Sequence, residues 1–296
     1  MPSTTVGRAL VSATQRLDDG GSSTPHLDAQ VILAHVLGTD RSWLFAHHEY
    51  KLTPAEADVY TELIARRAAS EPVAYIVGRR EFYELDLAVD RRVLIPRPET
   101  EMLVEIALNE IRDLTVAASL DVSPGNSAVR IADIGTGSGA IALAIAANCP
   151  AARIDAVDIS REALEVARSN VDRLDTRRQV TLLEGDLLRP VSEAVDIIVA
   201  NLPYVTAEEY PHLMPDVRDY EPKLALVGGP QGLDAVHRLL IQAPGYLRPH
   251  GKVLLEIGCE QAAAVVQLAH ELIPQATYVG VRQDYHGLDR VVLISL

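Results

Sequence analysis

The sequence has few cysteines and no long apolar run. Only Cys149 and Cys259 occur among 296 residues, which is too few for a disulfide framework, and no metal-ligand spacing surrounds either one, so we expect no metal site. Residues 1–10 lack the basic and apolar regions of a signal peptide. The longest apolar stretches, such as residues 140–147, are too short to span a bilayer. These absences favour a cytoplasmic protein that is neither secreted nor embedded in a membrane.

Basic residues are also scarce. The chain has 27 Lys and Arg against 41 Asp and Glu, so its formal net charge is −14. A net acidic surface repels phosphate backbones at long range, which disfavours nucleic acid as a direct partner and favours a basic protein. The hydrophobic fraction of 48% and the charged fraction of 23% are typical of globular proteins. The length suits one large domain plus a small one.

The N-terminal part, residues 6–78, has the pattern of short helices joined by short loops. Residues 28–37 carry apolar side chains at helical spacing. Thr53 and Glu56 flank Pro54 in the pattern of a capping box with proline at the first helical position. These features predict a small helical bundle.

Residues 82–95 alternate apolar and polar side chains around Asp90 and Arg91, which predicts a hairpin. Such a hairpin would connect the helical part to the rest of the chain. We therefore expect three parts: a helical domain over residues 1–80, a β-hairpin linker over 81–96 and a larger domain over 97–296.

From Val129 onward, strand and helix patterns alternate. The expected strands cover residues 129–134, 153–158, 179–184, 195–200, 252–257, 276–281 and 289–295. The expected helices cover residues 139–148, 161–173, 231–243 and 260–272. This alternation predicts an α/β fold, a mostly parallel sheet with helices on both faces. Residues 282–288 are too few for a helical crossover, so the last strand should run antiparallel.

A glycine-rich loop follows the first of these strands. The sequence from Asp133 to Ala140 is DIGTGSGA, and it opens an apolar helix. Glycines allow a tight turn and let a ligand approach the main chain closely. The pattern fits both a methyltransferase loop and a dinucleotide fingerprint, and a tight turn without a ligand is the alternative. The candidate cofactor-binding residues of this loop are Gly135, Thr136, Gly137, Ser138 and Gly139.

Acidic residues end the next two strands. Asp158 lies where a carboxylate can accept both hydroxyls of a ribose, a group that NAD and S-adenosylmethionine share. After the third strand, Asp186 is a candidate acceptor for an adenine amino group and Leu187 a candidate packing surface for the ring. A simple turn at the end of the strand explains Asp186 and Leu187 equally well.

The fourth strand ends in Asn201-Leu202-Pro203-Tyr204. Ligands bind at the carboxyl ends of strands in such sheets. The Asn201 side-chain oxygen and the Leu202 carbonyl are two acceptors, which suits the two hydrogens of an NH2 group. Pro203 and Tyr204 would form the sides of this site for a planar amide or base. We call the site formed by Asn201–Tyr204 the slot. Hydride transfer needs no such arrangement, although an ordinary Asn-Pro turn is the alternative.

Together these motifs resemble the release factor glutamine methyltransferases over nearly the whole chain. The resemblance rests on LIPRPETE (residues 94–101), the loop from Asp133 to Ala140, Asn201–Tyr204, YEP (220–222), GLD (232–234) and LEIG (255–258). It implies a Rossmann-like seven-stranded methyltransferase domain, a hairpin linker and an N-terminal helical domain that recognises the substrate.

The resemblance also implies the chemistry. The methyl donor would be S-adenosylmethionine, and the acceptor the glutamine of the Gly-Gly-Gln motif in bacterial class-I peptide chain release factors. Asn201 to Tyr204 would be the catalytic and substrate-binding residues, with Asn201 also at the cofactor. The family has Asn-Pro-Pro-Tyr, whereas this chain has Leu202 at the second position. Leucine keeps the carbonyl but does not lock φ.

Three other classes compete with this interpretation. An adenine-N6 or cytosine-N4 DNA methyltransferase uses a similar slot on a flipped base, but the net charge of −14 counts against it. An NAD-dependent oxidoreductase would explain the glycine loop and Asp158 but not Asn201–Tyr204. A non-catalytic binding module would not need the cofactor-loop residues.

Overall fold

The computed structural model describes residues 4–120 and 128–296. The chain divides into two compact units. The first runs to Arg79 and also includes Met214–Tyr220, whereas the second comprises Arg80–Leu213 and Glu221–Leu296.

Five helices form most of the first unit: α1 (Val6–Asp19), α2 (Pro25–Leu37), α3 (Arg41–Ala46), α4 (Pro54–Ala68) and α5 (Val73–Val77). The predicted capping box is confirmed, because Thr53 accepts from the Glu56 amide and the Glu56 carboxylate accepts from the Thr53 amide. Apolar side chains of α1, α2 and α4 make the core, including Leu17, Ile32 and Ile64.

The segment Met214–Tyr220 joins the first unit through polar contacts. The Tyr220 hydroxyl donates to the Ala69 carbonyl at 2.7 Å. Asp216 lies 3.8 Å from Arg67, whose Nε donates to the buried Asp28 at 2.7 Å. The sequence analysis did not foresee this return of the chain, because the segment lies far from residues 1–80 in sequence.

The paired strands of the linker occur earlier than the sequence indicated. They are β1 (Arg79–Phe82) and β2 (Leu85–Ala88). The turn is Tyr83-Glu84, with φ of 48° and 62°, and not the region of Asp90 and Arg91. Two residues at positive φ fit the twist of a two-residue hairpin. The Glu101 carboxylate accepts from the Tyr83 amide at 2.9 Å, which stabilises this turn although it has no glycine.

The remaining elements alternate as predicted. In chain order they are α6 (Glu101–Leu120), β3 (Arg130–Ile134), α7 (Ala140–Asn148), β4 (Arg153–Asp158), α8 (Arg161–Arg173), β5 (Val180–Glu184), β6 (Val195–Asn201), α9 (Pro215–Arg218), α10 (Lys223–Leu226), α11 (Asp234–Gln242), β7 (Leu247–Glu256), α12 (Ala262–Leu272), β8 (Tyr278–Gln283) and β9 (Asp289–Ser295). Helix α9 belongs to the segment of the first unit. Strand β7 begins at Leu247, five residues before its predicted start at 252. Helix α11 begins at Asp234, three residues after its predicted start at 231.

The seven-stranded sheet has the order β5-β4-β3-β6-β7-β9-β8. Strand β9 is antiparallel to both β7 and β8, which confirms the predicted direction of the last strand. Side chains of six strands enter two cores, one with α6 and α7 and one with α11 and α12, whereas the edge strand β8 contributes Val279 and Val281 to the second core only. The chain leaves β3 toward β4 and later returns to β6 on its other side, so the switch point lies between β3 and β6. Ligands bind at such a point.

Among the helices of residues 4–120 and 128–296, none combines the length and the apolar character that crossing a bilayer requires.

Candidate active site

The glycine loop between β3 and α7 takes a left-handed backbone at three positions. Gly135, Gly137 and Gly139 have φ of 77°, 57° and 84°, a region that costs other residues free energy. A Cβ on Gly135 would lie 3.2 Å from the Leu202 side chain and 3.4 Å from the Asn201 carbonyl. The loop after β3 therefore lies directly against the end of β6.

Asp158 at the end of β4 holds this loop. One of its carboxylate oxygens accepts from the Gly137 amide at 2.8 Å, and the other accepts from the Ser160 amide at 2.8 Å. Burial raises the pKa of Asp158, while the amides of Ser160 and Gly137 oppose that shift. Each oxygen retains a lone pair after these bonds, so Asp158 can still accept hydroxyls from a ligand.

Asp133 lies beneath the loop and is fully buried. It accepts from the Thr136 hydroxyl at 2.6 Å and from the Ala142 amide at 3.2 Å. Burial raises its pKa to about 7, and the charge of Asp158 adds to this shift. Thr136 is thus turned into the protein, where its side chain shapes the loop.

Ser138 and Gly139 also face the protein interior. The Ser138 carbonyl accepts from Asn170 Nδ2 at 2.9 Å. A Cβ on Gly139 would lie 3.1 Å from Leu143. These two residues therefore contribute the course of the backbone, and their side-chain positions do not border the cavity described below.

Asn170 is a residue that the sequence analysis missed. It is fully buried in α8, and besides Ser138 it binds the backbone of Ala88 at the end of β2. Its Nδ2 donates to the Ala88 carbonyl at 3.0 Å, and its Oδ1 accepts from the Ala88 amide at 2.7 Å. One side chain thus connects the hairpin to the glycine loop. A polar residue on the apolar face of an amphipathic helix was the available signal.

A cavity opens at the switch point, entirely within the second unit. Its volume is about 300 Å³, at the lower end of the range for small-molecule sites. It brings together eight of the residues predicted for the site: Gly135, Gly137, Asp158, Asp186, Leu187, Asn201, Leu202 and Pro203. Arg92, Arg238 and several apolar side chains, including Leu224 and Val227, complete the lining.

Asp186 and Leu187 lie on one side of this cavity. Leu187 has φ of 54° and is buried. The Asp186 carboxylate forms an ion pair with Arg238 and a second one with Arg189 at 3.4 Å. Arg238 was not singled out in the sequence, because nothing in the local pattern of α11 distinguishes it from a solvated arginine.

The end of β6 presents Asn201 and Leu202 to the cavity. Asn201 Nδ2 donates to the buried Thr100 hydroxyl at 3.1 Å, so the polar run after Pro98 contacts the slot. Leu202 is 5% exposed and packs on Gly135. Packing of the Leu202 side chain restrains the backbone at this position. A proline at the same position would restrict φ directly through its ring.

Pro203 and Tyr204 continue past the strand, and two glycines approach their carbonyls closely. A Cβ on Gly228 would come within 2.1 Å of the Pro203 oxygen, and one on Gly232 within 2.0 Å of the Tyr204 oxygen. Tyr204 does not border the cavity, whereas Asn201, Leu202 and Pro203 do. Burial raises its pKa to about 12, with further contributions from Glu256 and Glu99, so the hydroxyl is protonated at neutral pH.

An ion pair between the half-buried Arg97 and the buried Glu221 fixes the segment that leads into this site. Arg97 Nη2 donates to Glu221 Oε1 at 2.5 Å, and the other Glu221 oxygen accepts from the Ile95 amide at 3.3 Å. Glu221 is 5% exposed. Both residues belong to motifs that the sequence analysis identified, but the contact between them is visible only in the structure.

Family models match two parts of this chain. The family model of the PrmC N-terminal domain matches residues 8–78, and that of the methyltransferase small domain matches residues 115–214. The release factor glutamine methyltransferase of Moorella thermoacetica is 44% identical over 290 residues, which are 98% of this chain and 98% of that protein. The one of Vibrio cholerae is 40% identical over 294 residues, 98% of this chain and 96% of that protein.

A solved structure supports the fold alone. A methyltransferase from Pyrococcus furiosus superimposes with a TM-score of 0.51 at 20% identity, and the match covers 79% of this chain and 98% of that one.

Proposed function

This chain belongs to the release factor glutamine methyltransferase family, and we propose that it methylates the side-chain amide nitrogen (N5) of the glutamine in the Gly-Gly-Gln motif of class-I peptide chain release factors. The methyl donor of the family is S-adenosylmethionine. The observation that carries the proposal is the position of Asn201 and Leu202. Asn201 ends β6 and Leu202 follows it, and both border the same cavity as the glycine loop that follows β3.

The residues of the glycine loop fit this cofactor. Three glycines at positive φ leave the main chain open to close approach. Asp158 ends β4 with a carboxylate that keeps acceptor capacity for the two ribose hydroxyls. Leu187 is an apolar surface for the adenine ring, and Asp186 an acceptor for its amino group once its ion pairs rearrange. When bound, the cofactor supplies a sulfonium methyl group that is electrophilic without a metal.

An amide nitrogen is a weak nucleophile because its lone pair is delocalised into the carbonyl. The Asn201 side-chain oxygen and the Leu202 carbonyl would accept its two hydrogens and turn the lone pair toward the methyl group. Holding two reacting groups in line in this way can raise the effective molarity of one toward the other to roughly 10⁵ M or more. The same two acceptors stabilise positive charge that develops on nitrogen. The proton leaves to water after the transfer.

We further propose a division of labour along the chain. Residues 1–80 recognise the release factor, the segment 81–96 connects, and residues 97–296 bind the cofactor and carry out the transfer. Every residue that borders the cavity lies after residue 90, which supports the role given to residues 1–80. The linker also contributes Arg92, Val93 and Leu94 to the lining of the cavity. The net charge of −14 favours a basic protein surface as partner and disfavours nucleic acid.

The test is transfer of a labelled methyl group from S-adenosylmethionine. The acceptors are an intact class-I release factor, the same factor with the motif glutamine changed to glutamate, and duplex DNA. We expect label on the intact factor alone. Equal labelling of the glutamate variant, or labelling of DNA, would overturn the proposed substrate.

A shortened chain that begins at Phe82 tests the division of labour. It should bind S-adenosylmethionine in calorimetry, which also reports that it is folded, and should methylate the intact factor poorly. Full activity of the shortened chain would show that residues 1–80 do not recognise the factor.

A further inference from the structure

A buried carboxylate lies directly behind the amide slot. Glu256 ends β7 opposite Asn201 in the strand register and is 2% exposed. None of the described residues places a donor in good hydrogen-bond geometry on either of its oxygens. Burial raises its pKa to about 7, although the nearby Thr100 hydroxyl and Asn201 amide oppose that shift. A buried carboxylate without a well-formed partner is costly, so a function for it is worth identifying.

The Thr100 hydroxyl lies near this carboxylate and contacts Asn201 at the slot. Its oxygen accepts from Asn201 Nδ2 at 3.1 Å, and Thr100 is 4% exposed. The hydroxyl has a single hydrogen and can rotate. An ionised Glu256 is only an acceptor. Thr100 lies close enough to lower the pKa of Glu256, so rotation of the hydroxyl toward this unpaired carboxylate leaves the Thr100 oxygen to accept from an N–H.

This order decides which end of the Asn201 amide faces Thr100. The NH2 group of Asn201 can donate to the Thr100 oxygen. In the opposite orientation, the Asn201 oxygen would face the Thr100 oxygen with no hydrogen between the two. With the NH2 group held toward Thr100 and Glu256, the Asn201 oxygen is left for the cavity. Hydrogen bonds in such a chain also polarise one another, which strengthens the outward acceptor.

We propose that Glu256, acting through Thr100, is a positioning residue that keeps the Asn201 side-chain oxygen directed at the substrate amide. The inference rests on the proposed function, since the acceptor role of Asn201 comes from it. Glu256 does not border the cavity, so it acts on the substrate only through Asn201.

The ionised form of Glu256 is the competent one. A protonated Glu256 can donate its own hydrogen to the Thr100 oxygen. The Thr100 oxygen then no longer needs the NH2 group of Asn201. The Asn201 amide can therefore turn over and present its NH2 group to the NH2 group of the substrate. Glu99 and Arg290 are the charged groups near Glu256, and Glu99 raises its pKa while Arg290 lowers it. Tyr204 also lies close and is protonated at neutral pH. Arg290 is in turn paired with Asp284 at 3.1 Å.

The kinetic test uses Glu256→Gln, Thr100→Val and Thr100→Ser. Losing a direct polar contact in such a site costs roughly 10²–10³ in rate, and we expect the indirect losses in Glu256→Gln and Thr100→Val to be smaller, on the order of 10-fold in kcat. The KM for S-adenosylmethionine should stay unchanged. Thr100→Ser should retain the activity that Thr100→Val loses, because serine keeps the hydroxyl. The double variant should be no slower than the slower single variant, since both changes break one chain.

The pH profile separates positioning from packing. Wild-type kcat should rise with pH through an inflection near 7, and Glu256→Gln should lack that inflection. Asp133 has a similarly raised pKa, and it is unchanged in this variant. The exposed Glu260→Gln serves as the control for loss of one acidic residue, with wild-type kcat and profile expected. A wild-type profile in Glu256→Gln, or additive losses in the double variant, would contradict the inference.

A measurement without substrate distinguishes this inference from the proposed function. The side-chain NH2 resonance of Asn201, assigned by its loss in Asn201→Ala, should shift with pH near 7 in the wild-type chain and not in Glu256→Gln. This result can hold even if the chain proves inactive on release factors, which would then refute the proposed substrate alone. A resonance that does not titrate would refute the inference whether or not the variants fold.

Discussion

The side-chain amide of Gln261 holds the carbonyl of Tyr204. Gln261 Nε2 donates to the Tyr204 oxygen at 3.0 Å, while Gln261 Oε1 accepts from the Gly258 amide at 3.0 Å. One side chain thus connects the loop after β6 to the loop after β7. Because Tyr204 follows Asn201 by only three residues, this contact limits how far the slot can move.

Changing Gln261 to glutamate is expected to loosen the slot. The new carboxylate can still accept from Gly258, but it places a second acceptor against the Tyr204 carbonyl. A buried acceptor that loses its partner costs about 1–3 kcal/mol, and this contact is only part-buried, so we expect a cost at the lower end of that range, a lower melting temperature and a reduced kcat with little change in cofactor affinity. Thermal unfolding and single-turnover methylation measure the two effects. Gln275→Glu, at an exposed position after α12, is the matched control, and an equal loss there would argue against a specific role for Gln261.

Replacement of Asn201 by alanine tests the slot itself. In the proposed complex it removes one acceptor and frees the substrate amide to rotate out of line. A preorganised contact of this kind is worth about 2.7–4 kcal/mol, or roughly 10²–10³ in rate. Single-turnover methylation at saturating S-adenosylmethionine should show this loss while cofactor affinity and melting temperature stay close to wild type.

Two further variants at the slot sharpen that test. Asn201→Asp keeps an oxygen but adds a negative charge, which we expect to impair the rate by disturbing the alignment of the sulfonium. Leu202→Pro keeps the carbonyl and restores the family sequence, so its rate should be nearly that of wild type. Wild-type turnover by Asn201→Ala, or a defect explained wholly by unfolding, would refute the acceptor role.

Asp158 is expected to control cofactor binding in two ways. Its carboxylate holds the Gly137 amide, and in the proposed complex it accepts the ribose hydroxyls. Hydrogen bonds to charged groups contribute about 1.5–3 kcal/mol, so Asp158→Ala should weaken S-adenosylmethionine by at least about tenfold in calorimetry. NAD should bind neither protein tightly. The exposed Asp172→Ala is the control, and unchanged affinity in Asp158→Ala would remove Asp158 from the cofactor site.

Asn170→Asp should destabilise the second unit through the glycine loop. It replaces the donor to the Ser138 and Ala88 carbonyls with an acceptor in a fully buried position. The expected cost is about 1–3 kcal/mol for each carbonyl left unpaired, measured by chemical unfolding. Hydrogen exchange at Gly139 should accelerate more than at β9. Asn109→Asp, at an exposed residue of α6, should change neither quantity, and an equal effect there would remove the special role of Asn170.

Local sequence was sufficient for the elements and for part of the site. Glycines at 135, 137 and 139, the acidic end of β4 and the asparagine after β6 each stand in a pattern whose physical cause is local. The apolar periodicity of each strand and helix fixed the α/β fold, since a segment of that pattern can bury its face only in such a layer. The turn at Tyr83-Glu84 was missed because its stabilising partner, Glu101, is 18 residues away.

The tertiary structure alone decided which polar residues support the slot. Thr100 lies 101 residues before Asn201, and Glu256 meets Asn201 only because β7 pairs with β6. Gln261 reaches Tyr204 across 57 residues, and Asn170 reaches Ala88 across 82. A hydrogen bond between distant residues leaves no periodicity in the sequence, because its geometry depends on strand order and register. The sequence therefore identified eight of the residues that border the cavity, and the fold determined the residues that hold them in place.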